Sequence, residues 1–367
     1  MMNADLLHQR FDKALELGCN FAAIRLPETG DTLFFYAMAH PAMRRVQYQP
    51  HDRPVFLCSP YSAGNKAYTL VSDAVFKNDE CVFGELPSSS SSSTKAWHKG
   101  AGDANFFADE AFYTSYVNKI VEAIEKDKFD KVVAARCEPL QFNGDINAAA
   151  LFTTACEKYP AACVYFFSTR DAGTWFGASP ERLVAVNGNT IETIALAGTL
   201  PVDEADNWTD KEYDEQGMIS FFIDNVFKNH GFKNVNQTDV ETLIAGNIKH
   251  LSSRFKVKAS PEFLEGKFHK LLNELNPTPA VCGLPQFEAS LFIAEHEKTE
   301  RRFYSGFTGV QFENGNINTY VNLRCAELYA GHALLYAGAG ITAASQPEKE
   351  WNETQRKLNT IKSILAK

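Results

Sequence analysis

The chain of 367 residues is 45% apolar and 22% charged, a composition that excludes disordered and fibrous proteins and allows a large core. Its formal net charge is −9 and its basic residues form no cluster, so nucleic acid is not an expected partner. No apolar run approaches the roughly 20 residues that cross a bilayer, so no membrane contact is expected. The eight cysteines form no C-x-x-C pair, and we expect most of them to be reduced core thiols of a cytoplasmic protein.

The first predicted element is an amphipathic helix over residues 1–18, whose charges distinguish it from a signal peptide. A low-complexity stretch follows at 87–94, where Pro87 precedes six serines and a threonine. Such a stretch is typical of an exposed loop, and it separates the N-terminal third from the remainder. We interpret it as an insertion or a weak boundary, with residues 1–100 as the N-terminal part and 101–367 as the main domain.

Beyond that stretch the pattern predicts a helix over 109–126, with an apolar residue at every fourth position, and then a series of strands. The strand candidates lie at 131–137, 164–168, 174–178, 182–186, 190–196, 309–313, 316–328 and 333–340. Asn187-Gly188 and Asn314-Gly315 each separate two of these candidates, and such dipeptides are the strongest short signal for a β-hairpin. Successive hairpins imply antiparallel pairing, and with the long helices they predict an α+β fold.

Two further helices begin with the pattern of a capping box. Thr209 and Glu212 open a helix of about twenty residues, and Ser345 and Glu348 open the C-terminal helix. Each helix then carries a stripe of apolar side chains at the helical period, so both are expected to pack against the core.

Three glutamates on these two helices are candidate metal ligands. Glu215 lies in line with the apolar stripe, where a lone carboxylate is costly unless it is paired or bound to a metal. A simple i,i+4 ion pair with Lys211 is the alternative. Glu350 and Glu353 lie near the start of the last helix, where they would complement the helix dipole in any case. Mg²⁺ prefers such oxygen ligands, but spacing alone leaves both interpretations open.

Three other residues are unusual for their predicted surroundings. Lys131 begins an otherwise apolar strand, where its ammonium group must pair, reach solvent or lose its proton. Arg324 is placed by the pattern inside a strand, from which it could bind a carboxylate through two hydrogen bonds. Gly198 offers a position where backbone can approach a ligand closely. Structural ion pairs and a plain turn are the alternatives for these three residues.

Seven motifs occur in order over about 240 residues, from about Lys131 to the C-terminus. They are FDKVVAARC, FGASPERLVAV, IALAGTLP, LNPTPAVCGLP, RFYSGFTG, NLRCAEL and YAGAGITAASQPEKEWNET. Together they resemble the chorismate-utilising enzymes, which include isochorismate, salicylate, anthranilate and aminodeoxychorismate synthases. The resemblance implies one large α/β unit of two packed, mainly antiparallel sheets with outer helices. It also implies that residues 1–100 are a divergent part of the same fold and that 101–367 form the chorismate-binding catalytic domain.

The resemblance also implies roles for the residues that match the motifs. Glu215 and Glu353 would bind Mg²⁺, and Glu350 would act at the metal directly or through water. The expected substrate-binding residues are Ala197, Gly198, Thr199, His250, Tyr304, Arg324 and Gly340. Gln216 departs from the many relatives that carry histidine there, a difference that we interpret as tolerated next to a metal ligand.

Isochorismate formation requires a base for the water that attacks C2 of the ring and an acid for the departing C4 hydroxyl. The resemblance assigns the base to Lys131 and the acid to Glu181. These roles need a neutral lysine and a protonated carboxyl group near pH 7. Burial favours both forms, because it lowers the pKa of a lysine and raises that of a glutamate.

Two positions separate the reactions within the family. Aminodeoxychorismate synthases carry a nucleophilic lysine at the position of Ala197, and anthranilate synthases carry glutamine at the position of Lys131. The combination found here therefore resembles isochorismate synthase, with salicylate synthase as the alternative because it shares both residues. A catalytically silent relative is disfavoured, since the base, the acid and both metal glutamates are present.

With water as the nucleophile, no amidotransferase subunit is expected, and nothing in the sequence requires an oligomer, so a monomer is predicted. The sequence leaves open whether the product serves menaquinone or siderophore biosynthesis.

Overall fold

The computed structural model describes residues 3–86, 97–98, 107–142, 146–245 and 248–365 of the chain. The serine-rich stretch at 87–94 and the division between residues 100 and 101 lie outside the described residues. The two-part division of the chain therefore stays a prediction.

Seven α-helices lie within these described ranges, and the four predicted helices are confirmed among them. The helices are α1 (Ala4–Leu17), α2 (Glu110–Glu125), α3 (Ala148–Lys158), α4 (Asp210–Asn229), α5 (Pro261–Leu275), α6 (Gln286–His296) and α7 (Pro347–Leu365). The predicted capping box of Thr209 and Glu212 is present at the start of α4. Before α7, the Ser345 hydroxyl accepts a hydrogen bond from the amide of Thr342. No helix in the described ranges combines the length and the apolar character needed to span a membrane.

The strands form two large sheets, in which all the neighbouring pairs are antiparallel. The first sheet contains β1 (Asn20–Arg25), β2 (Thr32–Ala37), β6 (Ala74–Lys77), β7 (Glu80–Gly84), β8 (Lys131–Gln141), β9 (Cys163–Thr169), β10 (Gly173–Ser179), β16 (Gly283–Leu284), β19 (Cys325–Leu328) and β20 (His332–Ile341). The second contains β3 (Ala42–Arg45), β4 (Val55–Ser59), β5 (Lys66–Leu70), β11 (Arg182–Asn187), β12 (Thr190–Pro201), β13 (Asn236–Gln237), β14 (Glu241–Ala245), β15 (Ile248–Lys258), β17 (Phe307–Gln311) and β18 (Ile317–Val321). Both predicted hairpins are confirmed as the pairs β11–β12 and β17–β18.

The two sheets pack face to face and carry their helices on the outside. In β9, Tyr165 and Phe167 belong to the core between the sheets, whereas Val164 and Phe166 belong to the core beneath α1, α3 and α7. Successive side chains of a strand point to opposite faces, so every residue of this strand is buried. Helices α4 and α5 cover the second sheet, and α2 and α6 cover the strand β8. The predicted α+β fold of two packed antiparallel sheets is confirmed.

The predicted strand over 316–328 is wrong in one respect, because the structure divides it. Strand β18 ends at Val321 in the second sheet and β19 begins at Cys325 in the first, so Arg324 lies between strands. Its φ of 49° is left-handed, which breaks the extended backbone at this position. The break lets the chain cross from one sheet to the other and brings Arg324 to the place where the sheets meet. Apolar periodicity does not reveal such a crossing, because both halves are buried strands.

Candidate active site

A narrow cleft with a cavity volume of about 50 Å³ lies where strand ends of both sheets approach the helices α4 and α7. Ten of the twelve site residues predicted from the sequence line it. They are Glu181, Ala197, Gly198, Thr199, Glu215, His250, Tyr304, Arg324, Gly340 and Glu353. The other two, Lys131 and Glu350, do not line the cleft but are buried next to residues that do. Lys131 contacts Glu215, and Glu350 lies one helical turn before Glu353.

Lys131 is the first residue of β8, and its side chain is fully buried. Its Nζ lies 2.7 Å from Oε1 of Glu215, which reaches the cleft from the second turn of α4. The alternative i,i+4 pair of Glu215 with Lys211 is therefore wrong. Gly340 on β20 lines the cleft beside this ion pair, and a Cβ there would lie 2.9 Å from Cε of Lys131 and would clash with the Glu215 carboxylate. Only a glycine allows the pair to approach the backbone so closely.

The other two candidate metal ligands also have lysine partners. Lys211 on α4 donates a hydrogen bond of 2.7 Å to Oε1 of Glu350, and Lys357 lies 2.6 Å from Oε1 of Glu353 on the same helix. Burial, and then the charge of Glu353, raises the pKa of Glu350. Burial would also raise the pKa of Glu353, but the positive charges of Lys357 and Lys211 outweigh it and hold that pKa below its usual value. The surroundings thus shift the pKa values of the two neighbouring carboxyl groups in opposite directions.

Among the described residues, no group of three Asp, Glu, His or Cys side chains is arranged to hold a metal ion. Each of the carboxylates of Glu215, Glu350 and Glu353 is paired with an ammonium group instead. The predicted assignment of Mg²⁺ ligands therefore stays a prediction. The donor set nevertheless suits a hard divalent cation, because all three groups are carboxylates.

Glu181 follows β10, and its side chain points into the cleft while its residue is 3% exposed. Burial raises its pKa from 4.5 to about 7, against the lowering effects of a hydrogen bond from Thr278 and of the charge on Lys131. The hydroxyl of Thr278 donates that hydrogen bond over 3.2 Å to Oε1. A carboxyl group with a pKa near 7 can donate a proton under ordinary cellular conditions, as the expected acid must.

His250 on β15 links the Gly198 turn to Arg324. Its Nδ1 lies 2.5 Å from the carbonyl oxygen of Gly198, so this nitrogen carries the proton and Nε2 accepts a hydrogen bond from Arg324 over 3.1 Å. Burial and the charge of Arg324 lower the pKa of His250 to about 3, which keeps the ring neutral. Gly198 itself has a φ of 66° and lies in a register shift between β12 and β15. The alternative of a plain turn is thus wrong, because Gly198 lies at an irregularity in the strand pairing that directs its carbonyl at the histidine.

Arg324 and Tyr304 also contribute polar groups to the lining of the cleft. Nε of Arg324 is buried and has no hydrogen-bond partner in the described part of the chain. Burial raises the pKa of Tyr304, so its phenol stays protonated. Its ring stacks on Tyr336 at 5.6 Å, and a Cβ at Gly338 would lie 2.9 Å from its hydroxyl. A guanidinium donor without a partner next to a neutral phenol is a suitable place for a carboxylate.

Sequence reasoning missed Lys357, which lines the cleft, and Thr278, which donates a hydrogen bond to the cleft residue Glu181. Lys357 lines the cleft and donates a hydrogen bond of 2.8 Å to the carbonyl of Gly338. Its position four residues after Glu353 was a usable signal, because i,i+4 partners share a helix face. Thr278 lies in a motif quoted above, but nothing in the sequence indicates that it contacts Glu181.

A buried acid, carboxylates and an unpartnered guanidinium donor converge on one concave site, an arrangement that suits a small anionic molecule. The family model described as "Chorismate binding enzyme" matches residues 64–366. The chain belongs to this family.

Three known proteins illustrate the relationship. Isochorismate synthase MenF of Escherichia coli K12 is 32% identical over 269 residues, which cover 70% of this chain and 61% of that protein. The chain thus spans about six-tenths of the length of this curated relative. The structure of MenF, the menaquinone-specific isochorismate synthase from Escherichia coli, matches 97% of this chain and 91% of its own with a TM-score of 0.79 at 20% identity. Anthranilate synthase component I from Streptococcus pneumoniae matches 69% and 58% with a TM-score of 0.60 at 22% identity. The fold is therefore shared by enzymes of different reactions and does not by itself identify the reaction.

Proposed function

We propose that this chain is an isochorismate synthase that isomerises chorismate with the help of Mg²⁺. The observation that carries the proposal is the buried Glu181, with a pKa of about 7. It lies in a cleft that is also lined by Glu215, the ion-pair partner of Lys131. Glu181 and Lys131 suit the acid and the base of a water-for-hydroxyl exchange. The relative named isochorismate synthase supports the same reaction.

In the proposed reaction, Lys131 accepts a proton from the water that attacks C2, and Glu181 donates a proton to the hydroxyl that leaves C4 as water. One water enters and one leaves, so the product is an isomer of the substrate. Both conjugated double bonds of the ring shift as the C2–O bond forms and the C4–O bond breaks. Glu181 favours the departure because hydroxide alone is a poor leaving group. After a forward turnover Lys131 carries the extra proton and Glu181 is ionised, and proton exchange with solvent restores both groups. With the roles of acid and base exchanged, the same two residues catalyse the reverse reaction.

The cationic groups of the cleft would hold the two carboxylates of chorismate. Arg324 offers Nε, and Tyr304 offers its hydroxyl beside it. The neutral His250 orients Arg324 by accepting a hydrogen bond from its Nη2. The other nitrogens of the guanidinium group are then left for the substrate. Ala197 leaves room at the ring where a lysine would attack it. The backbone of Gly198, Thr199 and Gly340 lets the ring approach closely.

Glu215, Glu350 and Glu353 are the residues that would hold Mg²⁺. The fit rests on the donor chemistry and on Lys211, whose ammonium group stands where its charge interacts with all three carboxylates. When bound, Mg²⁺ would neutralise a substrate carboxylate and position the ring. Metal binding by Glu215 would compete with its ion pair to Lys131, and release of the ammonium proton to solvent would then give the neutral amine that the proposed base requires.

Incubation of the purified protein with chorismate and Mg²⁺ is expected to give isochorismate and no pyruvate. The measurement is product separation by chromatography together with a coupled pyruvate assay. Equal amounts of pyruvate and fluorescent salicylate would contradict the proposal, because they would show elimination from bound isochorismate. Full turnover in the presence of excess EDTA would contradict the metal requirement alone.

Glu215→Gln and Glu353→Gln are each expected to raise the Mg²⁺ concentration for half-maximal activity by about 10- to 100-fold, as loss of a metal contact usually does. The measurement is initial rate against Mg²⁺ concentration at saturating chorismate. Glu348→Gln is the matched control, since Glu348 is exposed and lies on the same helix as Glu353, in its first turn. A metal dependence unchanged from wild type in the two variants would refute these ligands.

We further propose a cytoplasmic location, a monomeric state and activity without an amidotransferase subunit. Gel filtration coupled to light scattering tests the monomer, and activity of the purified chain with water as the sole nucleophile tests the absence of a subunit.

A further inference from the structure

Lys211 forms the ion pair that joins the two helices carrying the candidate metal ligands. It lies in the first turn of α4, and its partner Glu350 lies in the first turn of α7, 139 residues further along the chain. The Glu350 side chain is 2% exposed and the Lys211 side chain 28% exposed. A buried carboxylate thus receives its countercharge from a lysine at the rim of the site.

The position of Lys211 is not explained by its own helix. The N-terminus of a helix favours negative charge, which Asp210 and Glu212 supply, and disfavours a cation. The carboxylates explain it instead. Burial lowers the pKa of Lys211, but the charges of Glu350, then Glu353 and Glu215, outweigh burial and raise it. One ammonium group therefore interacts with all three candidate ligands.

The other two lysines of the site are held differently. Lys357 pairs with Glu353 within one helix and also donates to the carbonyl of Gly338. Lys131 is fully buried at the start of β8. In the described part of the chain, the hydrogen bond of the Lys211 side chain goes to Glu350 alone. Lys211 is also the most exposed of the three side chains, so it can withdraw toward solvent without breaking a contact to the backbone.

We propose that Lys211 is an internal competitor for the divalent cation: its ammonium group occupies the carboxylates of the metal site and must withdraw when the ion binds. This inference rests on the proposed function, because it assumes that Glu215, Glu350 and Glu353 receive the ion. Lys211 lowers the affinity for free Mg²⁺ while keeping the two helices connected in its absence. It is a residue that sets metal affinity and takes no part in the proton transfers.

The test is direct titration of Mg²⁺ into the substrate-free protein by isothermal calorimetry, for wild type and Lys211→Gln. The variant is expected to bind Mg²⁺ about tenfold more tightly, a change that corresponds to about 1.4 kcal/mol. One partly buried ion pair that no longer has to be broken accounts for a difference of this order. Thermal unfolding with and without Mg²⁺ gives a second readout. The melting temperature of the variant should rise more on addition of Mg²⁺ than that of wild type.

Two variants separate the competition from other effects. Lys211→Arg keeps the positive charge and is expected to bind Mg²⁺ with about wild-type affinity. Lys228→Gln removes a charge from the same helix about 25 Å away, where Lys228 pairs with Asp224 on the surface. It should also bind like wild type, because distant surface charges are screened by salt.

Unchanged or weaker Mg²⁺ binding by Lys211→Gln would overturn the inference, and so would equally tight binding by Lys211→Arg. The proposed function would survive either result if turnover still required Mg²⁺. No Mg²⁺ binding by any of the proteins, together with turnover that persists in EDTA, would overturn the proposed metal dependence itself. The two failures are therefore distinguishable.

Discussion

Replacement of Lys131 by alanine is expected to lower kcat on the order of a thousandfold while the protein stays folded. General base catalysis contributes about 10²- to 10⁴-fold in enzymes, and Lys131 is the proposed base. Its side chain is fully buried at the start of β8, and its ion-pair partner Glu215 reaches the cleft. The measurement is kcat with saturating chorismate and Mg²⁺, with circular dichroism and thermal unfolding to verify the fold.

Two further experiments separate loss of the base from loss of packing. Lys131→Met fills most of the same volume without an amine, so it should be as inactive as the alanine variant. Small primary amines in solution are expected to restore part of the activity to Lys131→Ala, because the vacated space opens next to the cleft, and to give none to Lys131→Met. An alanine variant that keeps more than about a tenth of wild-type kcat would rule out Lys131 as the base.

Local sequence signals were sufficient for the elements that are stabilised locally. The turn at Gly188 gives the β11–β12 hairpin because glycine tolerates the left-handed backbone, with a φ of 57°, that is found there. The capping box of Thr209 satisfies backbone groups within one helical turn and marks the start of α4. Strand β9 could be recognised from its continuous apolar run, but its pairing with β1 could not. These two strands are separated by more than a hundred residues, and no local property joins them.

The ion pairs of the site show most clearly what could not be predicted from the sequence. Sequence spacing offered Lys211 as the partner of Glu215, yet Lys211 pairs with Glu350 and Glu215 with Lys131. An i,i+4 pair is worth only a few tenths of a kcal/mol on an exposed helix. Burial of Glu350 and Lys131 makes an unpaired charge far more costly, so the tertiary pairs prevail. Only the family resemblance connected these positions before the fold was known.

The position of Arg324 in the fold is another feature that the sequence pattern did not predict. Its role at a carboxylate site follows from the motif, but the pattern placed it within a strand. The left-handed backbone at Arg324 and the buried amide of Asn322, which bonds to Tyr165 and to the carbonyl of Phe303, instead form a corner between the two sheets. The cleft exists because the chain changes sheets at this point. A site at the junction of two sheets depends on contacts that neither strand encodes alone.

Replacement of Glu181 by glutamine is expected to lower kcat by about 10²- to 10⁴-fold, the usual contribution of a general acid. Glutamine keeps the shape and can still accept the hydrogen bond from Thr278. In the wild type, kcat/KM should fall as pH rises through about 7, because burial raises the pKa of Glu181 to that value and only the protonated form donates. The measurement is the pH profile of kcat/KM between pH 5.5 and 9. The residual activity of Glu181→Gln should lack the alkaline limb of this profile, which is the fall in kcat/KM as pH rises through about 7.

The same variant should be more stable than wild type at alkaline pH. The pKa of Glu181 is 4.5 in the unfolded chain and about 7 in the fold, so the fold binds this proton more tightly. The resulting stabilisation is complete below pH 4.5 and is lost as pH rises through 7, a change of roughly 3 kcal/mol. Glutamine has no proton to lose. Urea unfolding at pH 5 and pH 8 should therefore show a smaller loss of stability for Glu181→Gln than for wild type.

Glu327→Gln is the matched control for both effects. Glu327 on β19 is fully buried beside Arg302, and burial likewise raises its pKa to about 7, yet it does not line the cleft. This variant should change the pH dependence of stability and leave the alkaline limb of kcat/KM in place. If Glu181→Gln kept that limb, or if Glu327→Gln removed it, the acid would have to be sought elsewhere. Both glutamates share the raised pKa, so it is the position of Glu181 in the cleft that marks it as the candidate acid.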